Sequence, residues 1–325
     1  KINKNFDYYL DMANEGSTQY SNSSANSAFA IVVGIGATLF SLFLIIEVGL
    51  RLSGAIDFPL YTIDDNGHYR LSASQRGSFL NKNDWYVNSR GFNNKDEINF
   101  NEPYVMLVGD SVIYGGNPVN YDDRIGTKLS ELLKKNVYVG AVGGWSLFNE
   151  MEFINKNIDV AKNADLVVIQ YDYGDLWDYA KESEKNGVIH PTSKPISATY
   201  YYVEKYMFPK IAKFQPKTDL PSIPTKSEMN GPWEKELLSL SEKLNKKILF
   251  VLYPDIKVYP DKNVWEKQTK DIKEFIGKHK DRFAYIDIAE STQWSTNLYR
   301  DGVHPNKDGN LVIAEEIADF IKQQN

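Results

Sequence analysis

The chain contains no cysteine, which excludes disulfides, thiolate metal sites and a cysteine nucleophile but does not choose between a reducing and an oxidising compartment. It also lacks any excess of positive charge. Its 37 Lys and Arg stand against 43 Asp and Glu, giving a net charge of -6 and a pI near 5.4. Such a chain has no basic field with which to hold a nucleic-acid backbone, so no nucleic-acid partner is expected. No internal repeat is present, and there are only four histidines. What is there suffices for a core: 325 residues, 42% hydrophobic and 25% charged, describe a globular protein with room for one large domain or two small ones.

The first feature is the uncharged run from Ala28 to Ile46. At ~1.5 Å per residue it nearly crosses a hydrocarbon core of about 30 Å, and extension to Leu50 completes the span. Polar, Ser- and Asn-rich sequence precedes it (residues 1–27), and nothing nearby would cover a helix apolar on all sides. The run is too long, and lies behind too much polar sequence, for a signal peptide. A transmembrane helix over residues 28–50, acting as an uncleaved anchor in membrane lipid, is the expectation. Gly34 and Gly36 form no nucleotide loop, since no strand-turn-helix pattern surrounds them; they read as lipid- or helix-packing positions. Glu47, near the end of the span, is given no function. Lys1 and Lys4 lie upstream, no Lys or Arg occupies residues 5 to 50, and Arg51 follows. Taken alone, that pattern leans toward a cytoplasmic C-terminal domain.

Residues 51–102 mix aromatic, polar and glycine positions, as expected for a membrane-proximal collar of short strands and loops. From Pro103 the pattern changes. Apolar runs at Tyr104 to Val108, Val137 to Ala141, Leu166 to Gln170, Ile248 to Leu252 and Phe283 to Ile288 read as strands buried on both faces. Between them, Ile125, Leu129, Leu132 and Leu133 recur at helical spacing, as do Leu147, Met151, Ile154 and Ile158, and later Ile313, Ile317, Phe320 and Ile321. This alternation predicts an α/β domain over 103–325: a three-layer αβα, flavodoxin-like arrangement with a five-stranded parallel sheet. Ligands bind such sheets at the carboxyl ends of the strands. An insertion at about 180–232 carries the aromatic and basic stretch from Tyr200 to Phe208, then Lys210, Lys213 and Phe214. That stretch reads as a lid, a carbohydrate platform, a membrane-touching patch or ordinary packing.

The first strand ends in Val108-Gly109-Asp110-Ser111, which would expose a serine hydroxyl at a strand's carboxyl end. By itself Gly-Asp-Ser is an ordinary turn feeding a helix cap. A serine nucleophile needs a base to take its proton and a third group to orient that base. His68, His190 and His279 lie in polar segments and read as solvated. His304 differs, because in Asp301-Gly-Val-His304-Pro305-Asn306 it follows the fifth strand, and Asp301 can accept its imidazole N–H. Asp172 and Asp175 read as a loop's polar edge, with no metal site expected.

Gly109-Asp110-Ser111 with Asp301-x-x-His304 near the C-terminus resembles the SGNH, or GDSL, hydrolase family over residues 103–325. Ala141-Val-Gly-Gly144-Trp145-Ser146 resembles the family's second block, which implies that the Gly144 N–H joins that of Ser111 in the oxyanion hole. Asn88-Ser89-Arg90-Gly91-Phe92 resembles a segment of membrane-anchored bacterial members, with Asn93 where arginine often follows. The third block departs: Gly174, in Asp172-Tyr173-Gly174-Asp175, stands where the family has asparagine. Loss of one oxyanion donor typically costs ~10² to 10³ in rate. The departure is compatible with a weaker enzyme, with Tyr173 as a substitute donor, or with a domain that no longer hydrolyses.

The resemblance implies catalysis by Ser111, His304 and Asp301 through an acyl-serine intermediate, with no metal or organic cofactor. It further implies an outward-facing domain, periplasmic or extracellular, acting on an acylated carbohydrate or other ester. Water as acceptor gives an esterase, and a sugar hydroxyl gives an O-acyltransferase. The alternative is a catalytically silent subunit with a membrane protein partner.

Overall fold

The computed structural model describes residues 29–172, 174–176, 179–182, 188–208 and 232–324; Tyr173, the polar segment 1–27 and residues 209–231, with Lys210, Lys213 and Phe214, lie outside them. Helix α1 (Phe29–Leu52) is long and apolar enough to cross a membrane, and none of its apolar window is buried within the chain. It begins and ends within two residues of the expected span. Gly34 and Gly36 have open space where a Cβ would stand, so they pack against none of the described residues.

The collar consists of two antiparallel hairpins, β1 (Tyr61–Ile63) with β2 (Tyr69–Leu71), and β3 (Gln75–Phe79) with β4 (Asn83–Val87). Its aromatic and aliphatic side chains Tyr69, Leu71, Trp85, Val87 and Phe92 are buried in the same core as the larger domain. The Asn93 N–H donates to Val139 O, and the Asn94 side chain bonds the backbone of Val137 and Val139. The collar therefore covers one edge of the main sheet, satisfying strand groups that would otherwise pair with another chain.

That sheet has five parallel strands in the order β6-β5-β7-β8-β9, namely Asn136–Ala141, Tyr104–Gly109, Leu166–Tyr171, Ile248–Leu252 and Phe283–Asp287. The expected three-layer architecture is thus present. Helices α3 (Ile125–Leu133) and α9 (Lys307–Gln324) pack together, as do α4 (Leu147–Lys156) and α5 (Ile158–Asn163) with α7 (Trp233–Leu244). The apolar run Leu147 to Ile158 is two helices, because the chain leaves helical geometry at Asn157 (φ -117°, ψ 38°). Strands β5 and β8 are buried at every position, but β9 is not. As an edge strand it exposes Tyr285, which corrects the expectation of burial on both faces. Full burial of each large apolar side chain contributes roughly 1.5 to 3 kcal/mol, so the central strands carry much of the stability.

In strand order the chain starts at β5, steps to β6 on one side, then returns to β7 on the other. The reversal opens a crevice at the carboxyl end of β5, where open α/β sheets bind ligands. Ser111 stands immediately beyond that end.

Candidate active site

Gly109 closes β5, and a Cβ there would lie 2.4 Å from Ile113 Cγ1. Only glycine allows the strand to turn this sharply into α2 (Ser111–Tyr114), the short helix that begins with Ser111. Asp110 caps α2, its carboxylate accepting the Val112 N–H at 2.7 Å. Ser111 is half-buried, and its Oγ has no hydrogen-bond partner among the described residues.

Asp301 and His304 lie in the loop before α9. Asp301 accepts the N–H groups of Val303 and His304 at 2.9 Å each, and both of its carboxylate oxygens lie 3.0 Å from His304 Nδ1. Although partial burial acts to raise the Asp301 pKa, these N–H groups and the imidazole bring it down to about 2. The dyad is thus ionised at Asp301 and fixed in orientation, with Nε2 left for another group.

One contact ties this loop to the serine turn, and two tie it to the segment after β8. Arg300 Nη1 donates to Gly115 O at 3.2 Å, the Tyr253 hydroxyl donates to Val303 O at 2.6 Å, and the Ile256 N–H donates to Gly302 O at 3.2 Å. Tyr253 feels the charges of Asp110 and Asp172 as well as Asp301, so it stands between the serine and histidine segments. Ser111 Oγ and His304 are not hydrogen-bonded to one another. In substrate-free enzymes such bonds are often long and tighten only with substrate.

Across from the histidine loop lies the turn from Val142 to Trp145. A Cβ on Gly143 would touch Ser111 Cβ at 3.8 Å, and Gly144 has φ +77°. The Tyr69 hydroxyl donates to Gly143 O at 3.2 Å, and Trp145 Nε1 donates to Tyr69 O at 2.8 Å. A peptide unit is planar, so a carbonyl held on one side points the following N–H to the other. That N–H is Gly144's, and it has no partner among the described residues.

His190 also reaches the Gly143 backbone. It is buried, not solvated, stacking on Tyr69 with ring centroids 3.9 Å apart and pairing with Glu182. Burial pulls the imidazole below its ordinary pKa, against Glu182 and the Gly143 backbone, which act to raise it. His68 is half-buried, 2.9 Å from Glu152 and stacked on Tyr179, and His279 caps α8 (Lys262–Lys278) in contact with Phe275. None of the three is a freely solvated side chain. Tyr69, Glu182 and His190 carry no sequence motif; the scarcity of histidine was the one available hint.

The third block is folded inward. Asp172 Oδ1 accepts the Gly174 N–H at 2.8 Å, and Asp175 accepts the Asp172 N–H at 2.6 Å. The Gly174 N–H is therefore spent inside its own turn and cannot serve an oxyanion. Asp175 is buried, as are Asp110 and Glu150, which corrects the reading of Asp172 and Asp175 as a polar loop edge. Burial, then the neighbouring Asp172, pushes Asp110 well above the ordinary carboxylate range, and the two side chains share a hydrogen bond. Burial, with Asp110 and Asp172 adding to it, does the same to Glu150, whose two carboxylate oxygens have no hydrogen-bond partner among the described residues. Burial likewise raises Asp175, with help from Asp172, Glu150 and Asp110. Asp110, Glu150 and Asp175 thus lie close enough to raise one another's pKa behind the serine turn, which disfavours a negative charge there that would oppose an oxyanion.

No protein-family model matches the chain, and no curated protein matches it. Solved structures do. A member of the lipolytic G-D-S-L family from Veillonella parvula is 16% identical, with a TM-score of 0.38 over 67% of this chain and 98% of that one. A catalytic mutant of an acetylxylan esterase from Geobacillus stearothermophilus is 14% identical, with a TM-score of 0.40 over 70% and 96%. A lipolytic G-D-S-L protein from Desulfitobacterium hafniense is 11% identical, with a TM-score of 0.39 over 66% and 98%. The roles assigned to residues below rest on the geometry of this chain, not on those likenesses.

Proposed function

We propose that this chain is a membrane-anchored serine esterase or O-acyltransferase. The observation that carries the reading is the Asp301–His304 pair, held with both carboxylate oxygens 3.0 Å from the imidazole and tied by Arg300 to the turn that presents Ser111. Ser111 attacks the acyl carbonyl while His304 takes its proton. The proton then passes to the leaving alcohol, leaving an acyl-serine. Water, or a sugar hydroxyl, enters by the reverse sequence with His304 again as base. Developing negative charge on the acyl oxygen is met by the Ser111 and Gly144 N–H groups. An acylated carbohydrate of the cell envelope is the substrate class this reading favours, with the domain on the outer side of the membrane. Protease added to intact cells or spheroplasts should then degrade the domain; full protection would place it inside.

The direct test is labelling of the detergent-solubilised protein with a fluorophosphonate. The parent should label, and Ser111→Ala should not. A folded parent that stays unlabelled would instead support a catalytically silent subunit of a membrane assembly, the reading that the inward-folded third block favours.

Tyr69 holds the peptide that aims the Gly144 N–H, so Tyr69→Phe should lower kcat. Loss of an oxyanion donor outright costs ~10² to 10³, whereas loss of one orienting hydrogen bond, at about 1 kcal/mol, should cost roughly 5- to 10-fold. KM should hardly change, because the bond acts on charge that develops after binding. A rise in KM with kcat intact would assign Tyr69 to substrate binding.

A further inference from the structure

The end of α1 is clamped to the domain and is not a tether. Glu47, on the last turns of the helix, accepts the N–H groups of Ala198 and Thr199 at 2.9 Å each and the hydroxyls of Ser197 and Thr199 at 3.0 and 2.9 Å. It thereby caps α6 (Ala198–Tyr202) from another part of the chain. Arg51 bonds both Glu47 and the carbonyl of Ile196. The hairpin β3–β4 closes the other side: Asn81 Nδ2 donates to Leu52 O at 2.8 Å, and the Leu80 N–H donates to Gly54 O at 3.0 Å.

These bonds fix α6 and the hairpin tip beside residues 47 to 54. At ~1.5 Å per residue, Glu47 lies about 8 Å before the end of the helix. Around that level, three separate segments leave large apolar side chains uncovered: Leu52 is 74% exposed, Leu80 47%, Ile196 100% and Tyr200 63%. Met207 and Phe208 extend the exposed surface along the same segment. Lys205 turns inward instead, its Nζ 2.7 Å from the Tyr201 hydroxyl. Apolar side chains gathered from distant parts of a chain around the exit of an apolar helix meet the headgroup and upper acyl region of a bilayer, where aromatic residues are favoured.

Resting on the reading of α1 as a membrane span, we propose that Leu52, Leu80, Ile196 and Tyr200 insert into the lipid interface, so that the collar lies on the bilayer and holds the Ser111 crevice in one pose above it. The occupant of the patch is lipid, continuous with the lipid around α1.

The absence of cysteine makes single-cysteine labelling clean. The full chain would be placed in phosphatidylcholine–phosphatidylglycerol nanodiscs with an environment-sensitive fluorophore on Leu80→Cys, Tyr200→Cys, Leu39→Cys or Lys270→Cys. Leu39 lies within α1, and Lys270 lies on the helix before β9, at the sheet edge opposite the collar. Lipids carrying a shallow spin label should remove most of the emission at positions 80 and 200 and leave position 270 unchanged. Emission at 80 and 200 as insensitive as at 270, with position 39 quenched by deep-labelled lipid, would overturn the interfacial patch and leave the anchor standing. No quenching at 39 would overturn the membrane span itself, and this proposal with it.

Discussion

Replacing His304 with alanine is expected to lower kcat on an activated acyl ester by about 10⁴-fold or more, with little change in KM. The ring has both carboxylate oxygens of Asp301 at its Nδ1 and its Nε2 free of partners among the described residues. His68, His190 and His279 are occupied by Glu152, Glu182 and Phe275, so none is placed to take over. Asp301→Asn should come close to the same loss. An amide at that position removes the charge that stabilises the imidazolium, and it permits the wrong tautomer. Because Asp301 is held at about 2, it stays ionised at neutral pH and keeps its charge beside the imidazole. Single-turnover and steady-state kinetics on the parent and both variants would check this. A fall of less than about tenfold in His304→Ala would remove His304 from the general-base role.

The second large effect concerns the buried carboxyl groups behind the serine. In the unfolded chain these groups release their protons near pH 4, while in the fold Asp110, Glu150 and Asp175 keep theirs well above it. The folded state then binds more protons than the unfolded one, so stability is fully present below the unfolded values and falls as pH rises. The slope is about 1.4 kcal/mol per pH unit for each proton held. Asp301 acts in the opposite sense: its lowered pKa contributes stability that is lost only as the pH falls from 3.8 toward about 2. Urea denaturation should therefore find the protein less stable at pH 8 than at pH 5. Glu150→Gln should flatten that dependence and add about 1 to 2 kcal/mol at pH 8, since an amide keeps the shape and cannot ionise. An unchanged slope in the variant would mean that Glu150 is already ionised in the fold.

These two sites differ in how far they could be read in advance. Asp301 and His304 are three residues apart, and a loop after an apolar strand leaves few other ways to arrange them. The Gly-Asp-Ser at the end of β5 was legible for a similar reason: strand, tight turn and helix are neighbours along the chain, and Gly109 has room for nothing larger. By contrast, Glu150 lies within an amphipathic helix where a polar residue reads as solvated, and Asp172 and Asp175 lie in what reads as a loop. The burial of Glu150 and Asp175 depends on α4 packing against the sheet, which no local pattern announces. Tyr69 was hidden in the same way, since nothing in a three-residue collar strand marks a hydroxyl that will reach the Gly143 carbonyl.

The sequence by itself determined the absence of disulfides, the apolar helix, the five strands and their order along the chain, and the two short motifs that carry the nucleophile and its base. Each follows from composition, periodicity or neighbours a few residues apart. Tertiary structure alone decided the strand order in the sheet, and with it the crevice beyond β5. It also decided the inward turn of the third block, the hold of Tyr69 and His190 on Gly143, and the capping of α6 by Glu47. Apart from the short bonds within the third block, the partners lie tens to more than a hundred residues apart, and only closure of the common core brings their polar groups within hydrogen-bonding reach.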